Sequence, residues 1–372
     1  MSRPLMPRPA ARGTARLAAR VVPVLALAVA LGLATTSPAL ADPPAPAATD
    51  LVGVGAQGTD ALLNQLSTDY NAALAAAGDT TSPRLYSWDA YGPTSITTKS
   101  GAYSMFRPYN SNAGVTALNA TTSSTLDFAR SARFPAVGDP VSTLFVAMAK
   151  DAVSWAAPTG GRAPASLTTA QLRGIYTCDI TNWRQIDPAL PDATIHPFLA
   201  GYLTVDRLGP SGPMMDSSSF FLRAIGYPLV LDGWTDHSCV RVVERENQGA
   251  DAVLHDPDAI VPYSVGRYLG QAYGGHTRPG DEPGALVPRA INGIAPFNPV
   301  HTVNGPFAAS TYGRILFNTV RQTEWQATDA HGAALRAVFG PSGWICRYGA
   351  ADLRSHGFLQ LPGVACGQAL HS

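Results

Sequence analysis

Lysine is nearly absent: of 26 basic residues only Lys99 and Lys150 are lysines, and the rest of the positive charge is arginine. Cysteine is scarce too, with four residues, none in a C-x-x-C spacing and none beside a histidine pair. That excludes the usual zinc and dithiol signatures. The apolar run from Val21 to Ala34 falls short of the ~20 residues a membrane span needs. No cysteine follows it, so a lipid anchor at that point is excluded as well. Neither sign of charge dominates, with 26 basic against 26 acidic residues. No internal repeat is present, and only Asp42 to Thr49, DPPAPAAT, has the composition of a linker.

The start of the chain is distinctive. Arg3, Arg8, Arg12, Arg16 and Arg20 precede the run VVPVLALAVALGLA with no acid among them. Ser37-Pro38 breaks a helix, and Ala39-Leu40-Ala41 has the small-x-small pattern before Asp42. This is the tripartite secretory signal, with cleavage expected after Ala41. An uncleaved anchor helix is the alternative. Removing the five arginines leaves 21 basic against 26 acidic residues, a net of −5. Such a surface offers no electrostatic footprint for nucleic acid or anionic lipid.

An even number of cysteines in an exported chain favours disulfides. Chain order and separation favour Cys346 with Cys366, a short C-terminal loop, and Cys178 with Cys239. Three connectivities are open in principle. No metal site or cofactor is expected. The 331 residues after Ala41 suit two domains better than one core.

Leu51 to Gly55 reads as a strand. Thr59 or Asp60 then opens a helix with Leu62, Leu66, Tyr70 and Leu74 on one face, stopped by Gly78. Arg84 to Trp88 reads as a strand and Ser111 to Leu118 as a short helix. Leu126 to Ala129 is a strand end before a polar turn at Arg130-Ser131. Thr143 to Ala149, TLFVAMA, is a strand buried on both faces. A helix at 167–176, a strand at 196–199 and a helix at 217–225 follow. Ala259 to Ser264 is a strand that turns into a helix at 265–271. This alternation predicts α/β layers with largely parallel sheets. The aromatic stretch Tyr86, Trp88, Tyr91, Tyr103, Phe106 and Tyr109 reads as core and strand packing, with a sugar platform as the alternative.

Three strand-to-helix turns carry small hydroxyl residues and glycines: Gln57-Gly58-Thr59, Asn110-Ser111-Asn112, and Ser211-Gly212 or Ser217-Ser218-Ser219. A helix N-terminus exposes unpaired N–H groups and positive dipole, and so holds tetrahedral oxyanions. Plain capping uses the same residues, so one such turn decides nothing. Three, spread over both halves, favour ligand contact.

The order of segments resembles the phosphate-binding proteins of ABC phosphate importers (the PstS-like family), in the divergent form of secreted actinobacterial proteins. The segments are GVGAQGT at 53–59, RPYNSNAG at 107–114, LDFARSAR at 126–133, LTTAQLRGIYTCDITNW at 167–183, SSSFFLRAIG at 217–226 and AIVPYSVGRYL at 259–269. The resemblance implies a class II periplasmic-binding-protein fold, two α/β lobes joined by two crossover segments with a ligand cleft between them. Lobe 1 would comprise 51–140 plus 259–372 and lobe 2 141–258, after the 42–50 linker, with crossovers near Ala136–Ser142 and Asp256–Pro262. It further implies a monomeric, non-enzymatic, secreted binder of inorganic phosphate or a similar oxyanion that delivers to an ABC permease. Contacts would come from Gly58, Thr59, Ser111, Asp127 and Arg130, and in the second lobe from Arg207, Ser211 and Gly212, with Ser218 and Ser219 in reserve.

Asp127 would accept the P–OH proton that phosphate keeps and sulfate lacks, so that sulfate is repelled. Alternatively it caps the following turn or pairs with Arg130 or Arg133. The second-lobe loop departs from the family pattern: Pro213 removes an N–H donor, and Met214-Met215-Asp216 intervene before Ser217. Asp216 entering the cleft would repel an anion. Two other readings stand beside this one. A secreted phosphoester hydrolase would need an activated nucleophile or a metal cluster; Gly209-Pro210-Ser211-Gly212 is only half of a nucleophile elbow, and His196, His237, His255, His276 and His301 are scattered. A PstS-like protein that lost its ligand is the other.

Overall fold

Leu51–Gly55 (β1) is buried throughout, as an apolar run between two neighbouring strands must be. The computed structural model describes residues 42–44, 46–201, 215–227 and 238–371. The proposed leader and its cleavage site lie outside the described residues, as do Arg207, Ser211 and Gly212. After β1 comes the helix Asp60–Ala76 (α1), with Leu62, Leu66 and Tyr70 inward. Gly78, at φ +68°, takes the left-handed conformation that stops it. Leu85–Ser87 (β2), Ser111–Ala120 (α2) and Phe128–Ser131 (β3) follow. Next come the long strand Thr143–Pro158 (β4), Thr169–Tyr176 (α3) and His196–Ala200 (β5). Thr168 and Gln171 form the reciprocal capping box of α3. The second half continues with Asp216–Ala224 (α4), Arg241–Val243 (β6), Ala259–Ser264 (β7) and Val265–Ala272 (α5). Gly313–Arg321 (β8) returns to the first.

The principal sheet runs β2-β1-β3-β8-β4-β7-β5-β6, and three short strands (Leu286–Pro288, Leu359–Gln360, Ala369–Leu370) pair with β4. β1 is parallel to β2 and β3, and β5 is parallel to β6 and β7. The centre departs from the expected parallel sheet, because β8 lies antiparallel to both β3 and β4, and β7 antiparallel to β4. Arg130 and Ser131 are not a turn but the end of β3, paired with Gly55 on one side and with Asn318 and Phe317 on the other. A polar pair reads as a turn only when it is exposed; both residues here are fully buried.

Two larger cores flank this sheet. One gathers Leu51, Leu62, Leu66, Phe128, Met148, Leu316, Val320 and Phe339. The other gathers Trp155, Tyr176, Trp183, Phe198, Phe221, Ile260, Tyr263 and Tyr312. Ala259 to Tyr312 packs into the second core, and the chain passes between cores within β4, around Lys150-Asp151, and at the start of β8. The expected crossovers near Ala136–Ser142 and Asp256–Pro262 came with the family resemblance; β4 itself runs on without a break and is buried at every position but Lys150.

Both expected disulfides are present. Cys178 bonds Cys239 with Cα atoms 5.9 Å apart, and Cys346 bonds Cys366 at 5.8 Å. Among the described residues no helix is long and apolar enough to cross a membrane.

Candidate oxyanion site

β1 ends at Gly55, whose φ of +113° and closeness to Arg130 (a Cβ would stand 2.6 Å from its carbonyl oxygen) both require glycine. The chain then makes a single 3₁₀ turn, Gln57–Thr59, before α1. Gly58 faces Asn247, Glu246 and Arg314, each 3.8–3.9 Å from the position of a Cβ. Gly58 thus brings the first half of the chain against residues that follow β6 and begin β8.

α2 starts beside this turn. Asn110 caps it by accepting from the Ala113 N–H at 2.8 Å. The Ser111 N–H points outward from the helix end and donates to both carboxylate oxygens of Asp216, at 3.0 and 3.2 Å. The Ser111 hydroxyl accepts from the Ala132 N–H at 2.8 Å, which ties α2 to the end of β3. Asp216 is itself the first residue of α4. The next N–H, that of Ser217, donates to the Glu246 carboxylate at 2.6 Å. Two helix N-termini therefore meet, and a carboxylate covers each.

Arg314 supplies the positive charge. Its guanidinium donates to Asp151 through Nε at 3.0 Å, with Nη2 2.9 Å from the same oxygen, and to the Ser217 hydroxyl at 3.2 Å. Asp151 also accepts from the Ser264 hydroxyl and the Gly266 N–H. Two buried donors in this cluster, Arg314 Nη1 and Asn247 Nδ2, have no hydrogen-bond partner among the described residues. Burial pushes the Asp216 carboxyl above its usual range despite the Ser111 N–H and Arg314. Burial and the neighbouring Asp216 push Glu246 up to about 7. Two helix ends thus lie together, each with one of the protein's own acids on its N–H, the position an oxyanion takes at a helix N-terminus.

No protein-family model and no curated protein matches this sequence. Solved structures do match in shape. An ABC-type phosphate transport receptor from Vibrio cholerae superposes with a TM-score of 0.54 at 15% identity, over 84% of this chain and 100% of that one. A phosphate ABC transporter substrate-binding protein from Clostridium perfringens, solved with bound phosphate, gives 0.54 at 11% identity over 84% and 100%. The fold is that of the periplasmic phosphate-binding proteins. At such identities the likeness concerns backbone architecture, and the side chains must be judged on their own contacts.

Within this phosphate-binding-protein fold the expected contact residues divide. Gly58 and Ser111 lie at the meeting of the helix ends. Thr59 is buried beside Gly58, and its hydroxyl donates to the Ala56 carbonyl at 3.4 Å. The Ser218 hydroxyl accepts from the Ala200 N–H at 2.8 Å and so holds α4 to β5. Ser219 borders a cavity of about 510 Å³ that opens beside Asp216 and is also lined by Arg133 and Arg223.

Arg130 and Asp127 are placed differently from expectation. Arg130 is fully buried and donates to the Ser87 hydroxyl at 2.6 Å and to the carbonyls of Ala56 and Gly55 at 3.1 and 2.9 Å. It braces the Gln57–Thr59 turn from beneath. Asp127 lies at the opposite end of β3, five residues from Ala132, roughly 16 Å of extended chain. Its carboxylate accepts from the Val52 N–H and from Lys99 Nζ, both at 2.7 Å, with His331 Nε2 at 3.5 Å. An acid just before a buried strand looks the same in sequence whether it serves a ligand or a lysine.

The aromatic stretch is split as well. Trp88 is buried and its indole donates to the Thr98 carbonyl, but Phe106 is 81% exposed. Phe106, Tyr91 and Tyr109 line a cavity of about 780 Å³, with the Arg245 guanidinium 4.3 Å above the Tyr91 ring.

Sequence reasoning did not single out Glu246, Asn247, Asp151 or Arg314. A usable signal existed for the last two. A charged residue inside an otherwise apolar strand is costly to bury alone, and Asp151 in β4 and Arg314 in β8 are such residues, facing each other in register. Glu246-Asn247 follows a short strand and carries no comparable mark.

Proposed function

We propose that this protein is an extracytoplasmic solute-binding protein that holds a tetrahedral oxyanion, inorganic phosphate foremost, between its two halves. The observation that supports this most is the meeting of the α2 and α4 N-termini: the Ser111 N–H is held by Asp216 at the start of α4, the Ser217 N–H by Glu246, and Arg314 reaches the Ser217 hydroxyl. An oxyanion would take those N–H groups in place of Asp216 and Glu246. Arg314 Nη1 and Asn247 Nδ2 would gain the acceptor they lack. Asp216 would then accept from P–OH, the role the sequence assigned to Asp127. Delivery to an ABC permease, a monomeric state and export through the Arg-rich leader belong to the same reading. The protein binds its solute without transforming it.

The occupied Ser111 N–H favours a second reading: the fold persists and the acids have closed the site. Calorimetric titration of the purified protein with phosphate, at about pH 5.5 and about pH 8, separates the two. One-to-one binding with sulfate excluded at neutral pH supports the first, and no heat at either pH supports the second. Turnover of a generic phosphate ester would overturn both.

A further inference from the structure

We infer that the site takes its oxyanion in the monobasic form and together with a proton on Glu246, so that binding consumes protons from solution. This rests on the oxyanion reading above. The geometry forces it through charge. An anion that takes the N–H groups of Ser111 and Ser217 displaces two carboxylates that remain beside it, both on residues almost without solvent exposure. Glu246 faces Asp216, the Arg314 guanidinium and, near enough to be felt, the Tyr91 phenol. Asp216 faces Ser111 on α2, Arg314 on β8 and, farther off, Arg133.

The available positive charge is small. Arg314 is shared with Asp151, fully buried at 2.9 Å, and Arg133 is held at 2.7 Å by Asp139. Asp151, Asp216 and Glu246 thus present three carboxylates to one guanidinium before any ligand arrives. A dibasic anion would add two more negative charges beside these buried carboxylates, where Coulomb repulsion is weakly screened. Protonating Glu246 removes one charge and turns an acceptor into a donor that an oxyanion can use. Glu246 is the group nearer to gaining that proton: one of its oxygens takes the Ser217 N–H, whereas both oxygens of Asp216 lie on the Ser111 N–H, and burial with Asp216 beside it raises the Glu246 carboxyl further.

The test counts protons. Phosphate is titrated calorimetrically into the purified protein at about pH 8 in two buffers of different ionisation enthalpy. Phosphate itself can take up at most one proton on passing from dibasic to monobasic. Between one and two protons per phosphate are expected, the excess belonging to the protein, and Glu246→Gln should bring the count to one or fewer whatever its affinity. Affinity should fall about tenfold per pH unit above neutrality for each proton consumed. A wild-type count of one or fewer overturns the inference, even if Glu246→Gln cannot be purified folded. Failure of phosphate to bind at any pH overturns the oxyanion reading itself, and the inference with it.

Discussion

The carboxylate of Asp216 caps the N-terminus of α2 from the other half of the molecule, with both its oxygens within 3.2 Å of the Ser111 nitrogen. An acid of one helix thereby neutralises the exposed end of another, where the helix dipole favours negative charge. Asp216→Ser should vacate that N–H. At neutral pH the variant should bind sulfate more tightly than wild type does, because a repelling charge has gone and a donor is free, and should gain less for phosphate, whose P–OH loses its acceptor. Its ligand-free stability should drop by about 1–3 kcal/mol for the lost buried hydrogen bond. Thermal shifts with and without each anion measure both effects. Unchanged anion response would mean the helix ends do not form the binding site.

Glu246 should leave a signature in stability as a function of pH. Its folded pKa is raised from 4.5 to about 7, so the folded protein holds a proton that the unfolded chain releases. That contribution is fully present below about 4.5 and is lost as pH rises through about 7, on the order of 3 kcal/mol in all. His356 acts in the opposite sense. Burial and the stacked His276 hold it down to about 3, so its contribution is present above about 6.5 and lost in acid. The informative quantity is therefore the difference between wild type and Glu246→Gln in chemical denaturation from about pH 5 to about pH 8. The variant should lose less stability over that range. Parallel curves would place Glu246 in contact with water.

Lys99 and Asp127 form a buried pair at 2.7 Å, with side chains 1% and 0% exposed. Removing one partner strands the other's charge, so Lys99→Met should cost about 3–5 kcal/mol, and Lys99→Met with Asp127→Leu together should recover much of it. Phosphate affinity of whatever remains folded should be unaffected, because the pair sits at the far end of β3. Loss of phosphate binding in a folded Asp127→Asn variant would return Asp127 to the site.

Cys346 and Cys366 close a loop of 20 residues, and Cys366 is buried in a small core with Val115, Phe145 and Phe317. Replacing both with serine should cost about 2–4 kcal/mol. Unfolding of the double variant by guanidinium, compared with wild type under non-reducing conditions, measures it. A loss below about 1 kcal/mol would mean that packing of the C-terminal segment already constrains the unfolded chain's alternatives.

Much of the fold could be read from local pattern. Leu51–Gly55, Asp60–Ala76, Ser111–Ala120 and Ala259–Ser264 lie almost where apolar period, caps and glycines put them. The long strand β4 was recognised only over its first seven residues. Beyond them Lys150 and Asp151 interrupt the apolar run, and the partner that makes Asp151 tolerable, Arg314, is 163 residues away. The candidate site is inconspicuous in the sequence for the same reason. Gly58, Ser111 and Ser217 have the helix-start chemistry that local sequence reveals, whereas Glu246 and Arg314 are defined by which distant charges they meet. Asp127 shows the converse error: an acid suited to a ligand was claimed by a lysine 28 positions earlier.

Both halves are threaded on the same two strands, β4 and β8, whose register runs unbroken from Gly313 opposite Ala152 to Leu316 opposite Ala149. Leu359 and Gln360 pair with β4 at the same place, so the join is three strands wide. Asp151 with Arg314 lies within it, and Arg314 also holds the Ser217 hydroxyl, so one buried guanidinium ties the join of the two cores to the start of α4.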